Sequence, residues 1–250
     1  MSETTHDLPA MLRLAVDAWP ALDTADIEGW SWRASGGGSK RANSVSALKF
    51  IGDDVSAAID EVEARYRTIG QQVRFQIDAI STPANLADRL GARGYVVEEG
   101  TLTMAKAVGA ELPGDAAAAG CEVTASASPE WLSVYLSAIT ADRRAVNQRI
   151  LPLVPHPRAF FLHRRQGQPV SSGLCVVSGG AAIVECMATT AVARRAGGAR
   201  AVLYAIEAWA TRQGAETLFL QVVDTNAPAV ALYERAGYRR IAATRYLVRD

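Results

Sequence analysis

Between Ala181 and Val248 the chain alternates strand-length apolar runs with helical stretches, and glycines separate them. Ala181–Ala188 follows a Gly179-Gly180 turn and reads as a strand. A helix is expected over about Gly198 to Gln213, with Val202, Leu203, Ile206 and Trp209 on one side and Gly214 as its stop. Thr217–Val223 reads as an apolar strand, Ala227–Ala236 as a short helix and Tyr238–Val248 as a last strand. Upstream, Ala159–Arg165 and Pro169–Ser178 flank a Gln166-Gly167 turn and predict a hairpin. A short strand over Glu122–Ser126, a helix opened by Ser128-Pro129 and a second helix over Ala141 to Leu151 complete this half. The order predicts an α/β fold with a mixed, mostly antiparallel sheet flanked by helices.

The first half repeats part of this plan. With Gly94-Tyr95 set over Gly237-Tyr238, FQIDAISTPANLADRLGARGY aligns without a gap on LFLQVVDTNAPAVALYERAGY. A helix from about Asp54 to Tyr66 precedes the first copy, as the Gly198–Gln213 helix precedes the second. Such a repeat is the usual trace of duplication. Between the halves, VGAELPGDAAAAG offers no face to bury and reads as a linker. The expected division is therefore 1–107, a linker at 108–120, and 121–250.

Charge and cysteine usage narrow the partners. The 26 basic and 26 acidic residues cancel, which gives no electrostatic reason to expect nucleic acid as a partner. No apolar run approaches the ~20 residues that span a bilayer. The first residues carry acids where a signal peptide needs positive charge. Cys121, Cys175 and Cys186 lack CxxC spacing, and His6, His156 and His163 lack metal-ligand spacing. The reading is a cytoplasmic protein without a metal, monomeric or homodimeric.

The chemistry concentrates after the Ala181–Ala188 strand. ARRAGGARAVL opens a helix with glycines and three arginines, Arg194, Arg195 and Arg200. Free N–H groups at a helix start bind anions, and glycine lets a phosphate approach the backbone. A Gly-rich turn with a solvated basic face would read the same way, and a nicotinamide-type G-x-G-x-x-G is not matched. One helix and one strand later stands Asn226-Ala227-Pro228-Ala229-Val230-Ala231-Leu232-Tyr233, followed by Gly237-Tyr238.

Arg194, Gly197 and Ala199 match R-x-x-G-x-A, and the second stretch matches N-x-x-A-x-x-L-Y-x-x-x-G-[FY]. Both patterns, in this order and spacing, resemble those of GNAT-type N-acetyltransferases, and the first half resembles a degenerate copy in two-domain members. The resemblance implies a tandem GNAT fold and acetyl-CoA as cosubstrate, with the acetyl group passing to a primary amine of a small molecule or peptide. It implies that the strands around Glu185–Thr189 and Thr217–Val223 splay apart, and that pantetheine bonds to main chain near Met187, Ala188 and Thr189. The pyrophosphate would lie on Arg194, Arg195, Ala196, Gly197, Gly198, Ala199 and Arg200. Asn226 would bond the pantetheine arm or cap its helix, and Tyr233 would protonate the departing thiolate. Glu185 is the expected base, directly or through a water, with Asp224 in reserve. Strand alternation leaves the face of Glu185 open. No residue is expected to be acylated, so attack is direct in a ternary complex. A CoA-sensing module without catalysis is the alternative.

The first copy lacks these parts. Pro83 and Leu90 fall where the second has Asn226 and Tyr233. Asp53-Asp54 at its helix start would repel a pyrophosphate. Gly36-Gly37-Gly38-Ser39-Lys40-Arg41 is expected to be a flexible connection before a strand over Ala42–Leu48. Trp30, Trp32 and Arg33 either pack in the core or line a cleft between the halves.

Overall fold

The computed structural model describes residues 7–108 and 120–250. His6 and the 109–119 part of the expected linker lie outside the described residues. The helices are α1 (Leu8–Asp17), α2 (Val55–Thr68), α3 (Leu86–Ala92), α4 (Pro129–Ser137), α5 (Ala141–Ile150), α6 (Gly198–Arg212) and α7 (Ala227–Arg235). The strands are β1 (Asp23–Ile27), β2 (Trp30–Ala34), β3 (Val45–Ser46), β4 (Val73–Ile77), β5 (Val96–Ala107), β6 (Cys121–Thr124), β7 (Arg158–Arg165), β8 (Gln168–Ser178), β9 (Ala181–Thr189), β10 (Thr217–Val223) and β11 (Arg239–Arg249). Among the described residues no helix is long and apolar enough to cross a membrane.

Among the described residues, all eleven strands form one sheet in the order β1-β2-β3-β4-β11-β5-β10-β9-β8-β7-β6. The repeat explains its centre. β4-α3-β5 and β10-α7-β11 are the two aligned units, and each final strand pairs with the other unit's first. β11 pairs with β4, β5 pairs with β10, and β5 and β11 pair with each other, all antiparallel. The two copies also turn alike. Tyr95 N donates to Leu90 O at 3.1 Å after Gly94, and Tyr238 N to Tyr233 O at 3.0 Å after Gly237.

Among the described residues, three clusters of apolar side chains hold the sheet. Trp131, Tyr135, Ile150, Phe160, Leu174, Ile183 and Phe219 form one under α1, α4 and α5. Phe161, Val184, Val202, Ile206, Leu220, Val230 and Tyr233 form a second, beneath α6 and α7. The third, in the first half, contains Trp30, Trp32, Tyr66, Phe75 and Leu90. The tryptophans thus take the packing role, and Arg33 is buried with them at 1% exposure. Burial pulls its pKa down to about 10.

One expected strand is corrected. A 3-10 turn over Lys40–Asn43 takes up the start of Ala42–Leu48, and within that stretch only Val45–Ser46 pairs as a strand. Polar side chains capture the local backbone: Ser39 Oγ accepts from Ala42 N, and Asn43 Nδ2 donates to Ser39 O at 2.9 Å.

Candidate active site

β9 and β10 form a fork. They pair in parallel only from Thr217↔Ala181 to Leu220↔Val184. Beyond that pair a bulge bends β9 away. On β8, Leu174 faces Glu185 and Ser172 faces Ala188, so β9 carries one residue more than its partner. Cys186 takes the strain with φ +53. Gly173 opposite it is required by close approach, since a Cβ there would lie 2.7 Å from Val202 Cγ1 and 3.0 Å from Met187 Sδ. The open arms of the fork leave strand backbone without a ladder partner.

A cleft of about 590 Å³ enters this fork. Its walls bring together Met187, Ala188, Thr189, Arg194, Arg195, Gly197, Gly198, Ala199, Arg200, Asn226 and Tyr233, all expected from the sequence. Ala196 belongs to the same loop but is exposed and not part of the wall. The sequence reading missed Ala138, Ala193, Pro228, Ala229, Leu232 and Arg235. Arg235 had a readable signal, two residues beyond Tyr233 on the same short helix. Among the described residues the wall holds four arginines and no carboxylate, which suits a polyanion.

The loop into α6 shows how the anion end is built. Gly197 caps the helix with φ +86 and no side-chain bond, so the first-turn N–H groups of α6 have no capping side chain. Gly198 is buried, and a Cβ there would collide with Ser171 Oγ, so the close approach requires glycine. On the other arm, Asn226 caps α7 by accepting from Ala229 N at 3.3 Å.

Tyr233 lines the cleft from α7. It is 8% exposed, and its ring meets Tyr238 edge-on with centroids 6.0 Å apart. Burial, reinforced by the Glu185 carboxylate, pushes its pKa up to about 12. The phenol therefore keeps its proton throughout the physiological range.

Glu185 points to the α1–α4 face, in phase with Ala181 and Ile183. It is not part of the cleft wall. An ion pair holds it at the apex of the fork. Arg41 Nη2 lies 2.8 Å from each carboxylate oxygen and donates to Oε2. Both side chains are 12% exposed. Arg41 Nη1 also donates to Gln221 Oε1 at 3.0 Å. The segment expected to be a flexible connection therefore delivers a guanidinium to the second half. Asp224 is exposed, with its carboxylate beside Gly100 of β5. Burial and the neighbouring Glu185 both raise the Cys186 thiol, so it stays protonated.

Known proteins share this architecture. A GCN5-related N-acetyltransferase from Kribbella flavida superposes with a TM-score of 0.63, at 17% identity, over 96% of this chain and 92% of that one. A tandem GNAT protein from the clavulanic acid biosynthesis pathway superposes with a TM-score of 0.58, at 11% identity, over 77% and 68%. In sequence, the uncharacterized N-acetyltransferase YobR of Bacillus subtilis (strain 168) is 26% identical over 249 residues, 97% of this chain and 99% of that protein. The fold and its relatives define a GNAT-type N-acetyltransferase. Within that class, residues 5–247 match the model described as "Probable histone acetyltransferase Rv0428c C-terminal", and the chain belongs to that family.

Proposed function

We propose that the protein moves the acetyl group of acetyl-CoA to a primary amine of a small molecule or peptide. The observation that carries this reading is the cleft itself, with four arginines at its walls, unladdered strand backbone beside it and the protonated phenol of Tyr233 among its lining residues. The pyrophosphate rests on the α6 first turn with Arg194, Arg195 and Arg200, and the pantetheine arm adds to β9 as a short strand. Asn226 shapes the opposite wall.

The amine lone pair forms the new N–C bond as the C–S bond breaks. Glu185 takes the N–H proton, directly or through a water, and Tyr233 gives its proton to the leaving sulfur. Solvent then restores both groups, leaving an acetamide and free CoA thiol. The raised Cys186 thiol supports direct attack over an acyl-enzyme. The three free cysteines and the balanced charge fit a cytoplasmic enzyme working on a small or peptide amine.

The test is release of free thiol from acetyl-CoA with a panel of amines, lysine peptides included. Thiol release that depends on the amine, with a product heavier by one acetyl group, is expected. Tight acetyl-CoA binding without thiol release on any amine would instead make the chain a CoA-binding module.

A further inference from the structure

We infer that Arg41, supplied by the degenerate N-terminal half, is the positioning residue for Glu185 at the acetyl-transfer site, an inference that rests on the reading just given. The last residues paired between β9 and β10 are Val184 and Leu220. Glu185 and Gln221 are the next residues on each arm, and the Arg41 guanidinium bonds both. It therefore bridges the two arms of the fork at the point where they part.

The bridge engages both carboxylate oxygens of Glu185 but only the oxygen of the Gln221 amide. Glu185 Oε1 has Arg41 Nη2 at 2.8 Å as its ion-pair partner, whereas Gln221 Nε2 is a buried donor with no hydrogen-bond partner. Most buried polar atoms in proteins are paired, so this free amide donor at the apex is a place where a water or the lone pair of an incoming amine can bond. Arg41 Nη2 stands 2.8 Å from both oxygens and so fixes the orientation of the whole carboxylate that is to receive the amine proton. A planar guanidinium with several fixed donors holds two acceptors at once, whereas an ammonium holds them loosely.

Arg41 is itself well fixed. Ala42 next to it is fully buried in the cluster under α1 and α4. Asn43 Nδ2 donates to Gly37 O and Ser39 O, and Asn43 Oδ1 accepts from Ser35 N at 2.8 Å. Gly38 lies against α5, where a Cβ would stand 3.0 Å from Val146 Cγ1 and 3.1 Å from Asn147 Oδ1. The segment is thus clamped between β2 and the helices of the second half. Burial disfavours the Arg41 charge, and the Glu185 carboxylate more than reverses that cost. This gives the N-terminal half a role although it lacks the acetyl-CoA motifs.

The test is a double-mutant cycle on turnover, with Arg41→Gln, Glu185→Gln and the double variant, each titrated calorimetrically with acetyl-CoA. Arg41→Gln is expected to lower kcat about 10- to 100-fold, the scale of a misplaced catalytic group. KM and Kd for acetyl-CoA should stay within about twofold, because the cleft wall is untouched. The double variant should match Glu185→Gln alone, because Arg41 acts only through Glu185. Arg41→Lys should recover part of the rate. Should Arg41→Gln fail to fold, Arg41→Lys with and without Glu185→Gln closes the same cycle. Wild-type kcat in Arg41→Gln, or losses that multiply in the double variant, would overturn the inference while the acetyltransferase reading stood. Absence of turnover in the wild type with every amine would instead remove that reading, and this inference with it.

Discussion

Replacing Tyr233 by Phe removes one oxygen and leaves the ring that packs against Tyr238. Among the described residues nothing hydrogen-bonds the Tyr233 hydroxyl, so no protein partner is orphaned. Stability should therefore stay within about 0.5 kcal/mol of the parent, the usual range for a change that breaks no buried contact. The rate should not. A hydrogen bond to a charged group contributes about 1.5–3 kcal/mol, and the departing thiolate would lose that donor. At about 1.4 kcal/mol per tenfold, kcat should fall about 10- to 150-fold. Continuous thiol release measures kcat and the KM for acetyl-CoA, and thermal denaturation checks the fold. A loss confined to kcat is expected. Unchanged kcat, or a loss seen only as a higher KM, would refute the assignment of Tyr233 as the acid.

Other consequences follow from the same geometry. The pKa of Tyr233 is raised, so its acid form persists below about 12 and is lost only as pH rises through that value. Its ultraviolet titration should show no tyrosinate at this site below pH 10, and no basic fall in rate at lower pH should vanish in Tyr233→Phe. Exposed Arg194 and Arg200, changed singly to Gln, should each raise the KM for acetyl-CoA about two- to fivefold with little change in kcat, the scale of one exposed charge contact. Added salt should narrow the difference. Gly173→Ala drives a Cβ against Val202 and Met187, and should cost about 1–3 kcal/mol in denaturant unfolding. An unchanged midpoint there would mean that the bulge at Cys186 is not held by this packing.

The parts of the molecule legible in the sequence are those coded locally. α6, β10, α7 and β11 follow from apolar periodicity and from glycines at their ends, and the structure reproduces them within a residue or two. Most of the cleft wall was legible for the same reason, because it comes from two short stretches, Met187–Arg200 and Asn226–Arg235. The strand exchange was not. Nothing within β11 states that its neighbours are β4 and β5, since antiparallel partners are chosen by the whole sheet. The face of Glu185 was hidden because the bulge at Cys186 shifts the phase of β9 just beyond it. Arg41 was hidden more deeply. It lies 144 residues from Glu185, and only the joined sheet brings the two together. The Lys40–Asn43 turn misled for a related reason, since the side chains of Ser39 and Asn43 outcompete strand pairing there.

We propose a single acetyl-CoA site per chain, built by the second half. Calorimetric titration of the full chain with acetyl-CoA tests it most directly. Binding at micromolar concentration with one equivalent per chain, weakened in Arg200→Gln and unaffected by Asp54→Asn at the first half's helix start, is the predicted result. No binding, or two equivalents per chain, would contradict it.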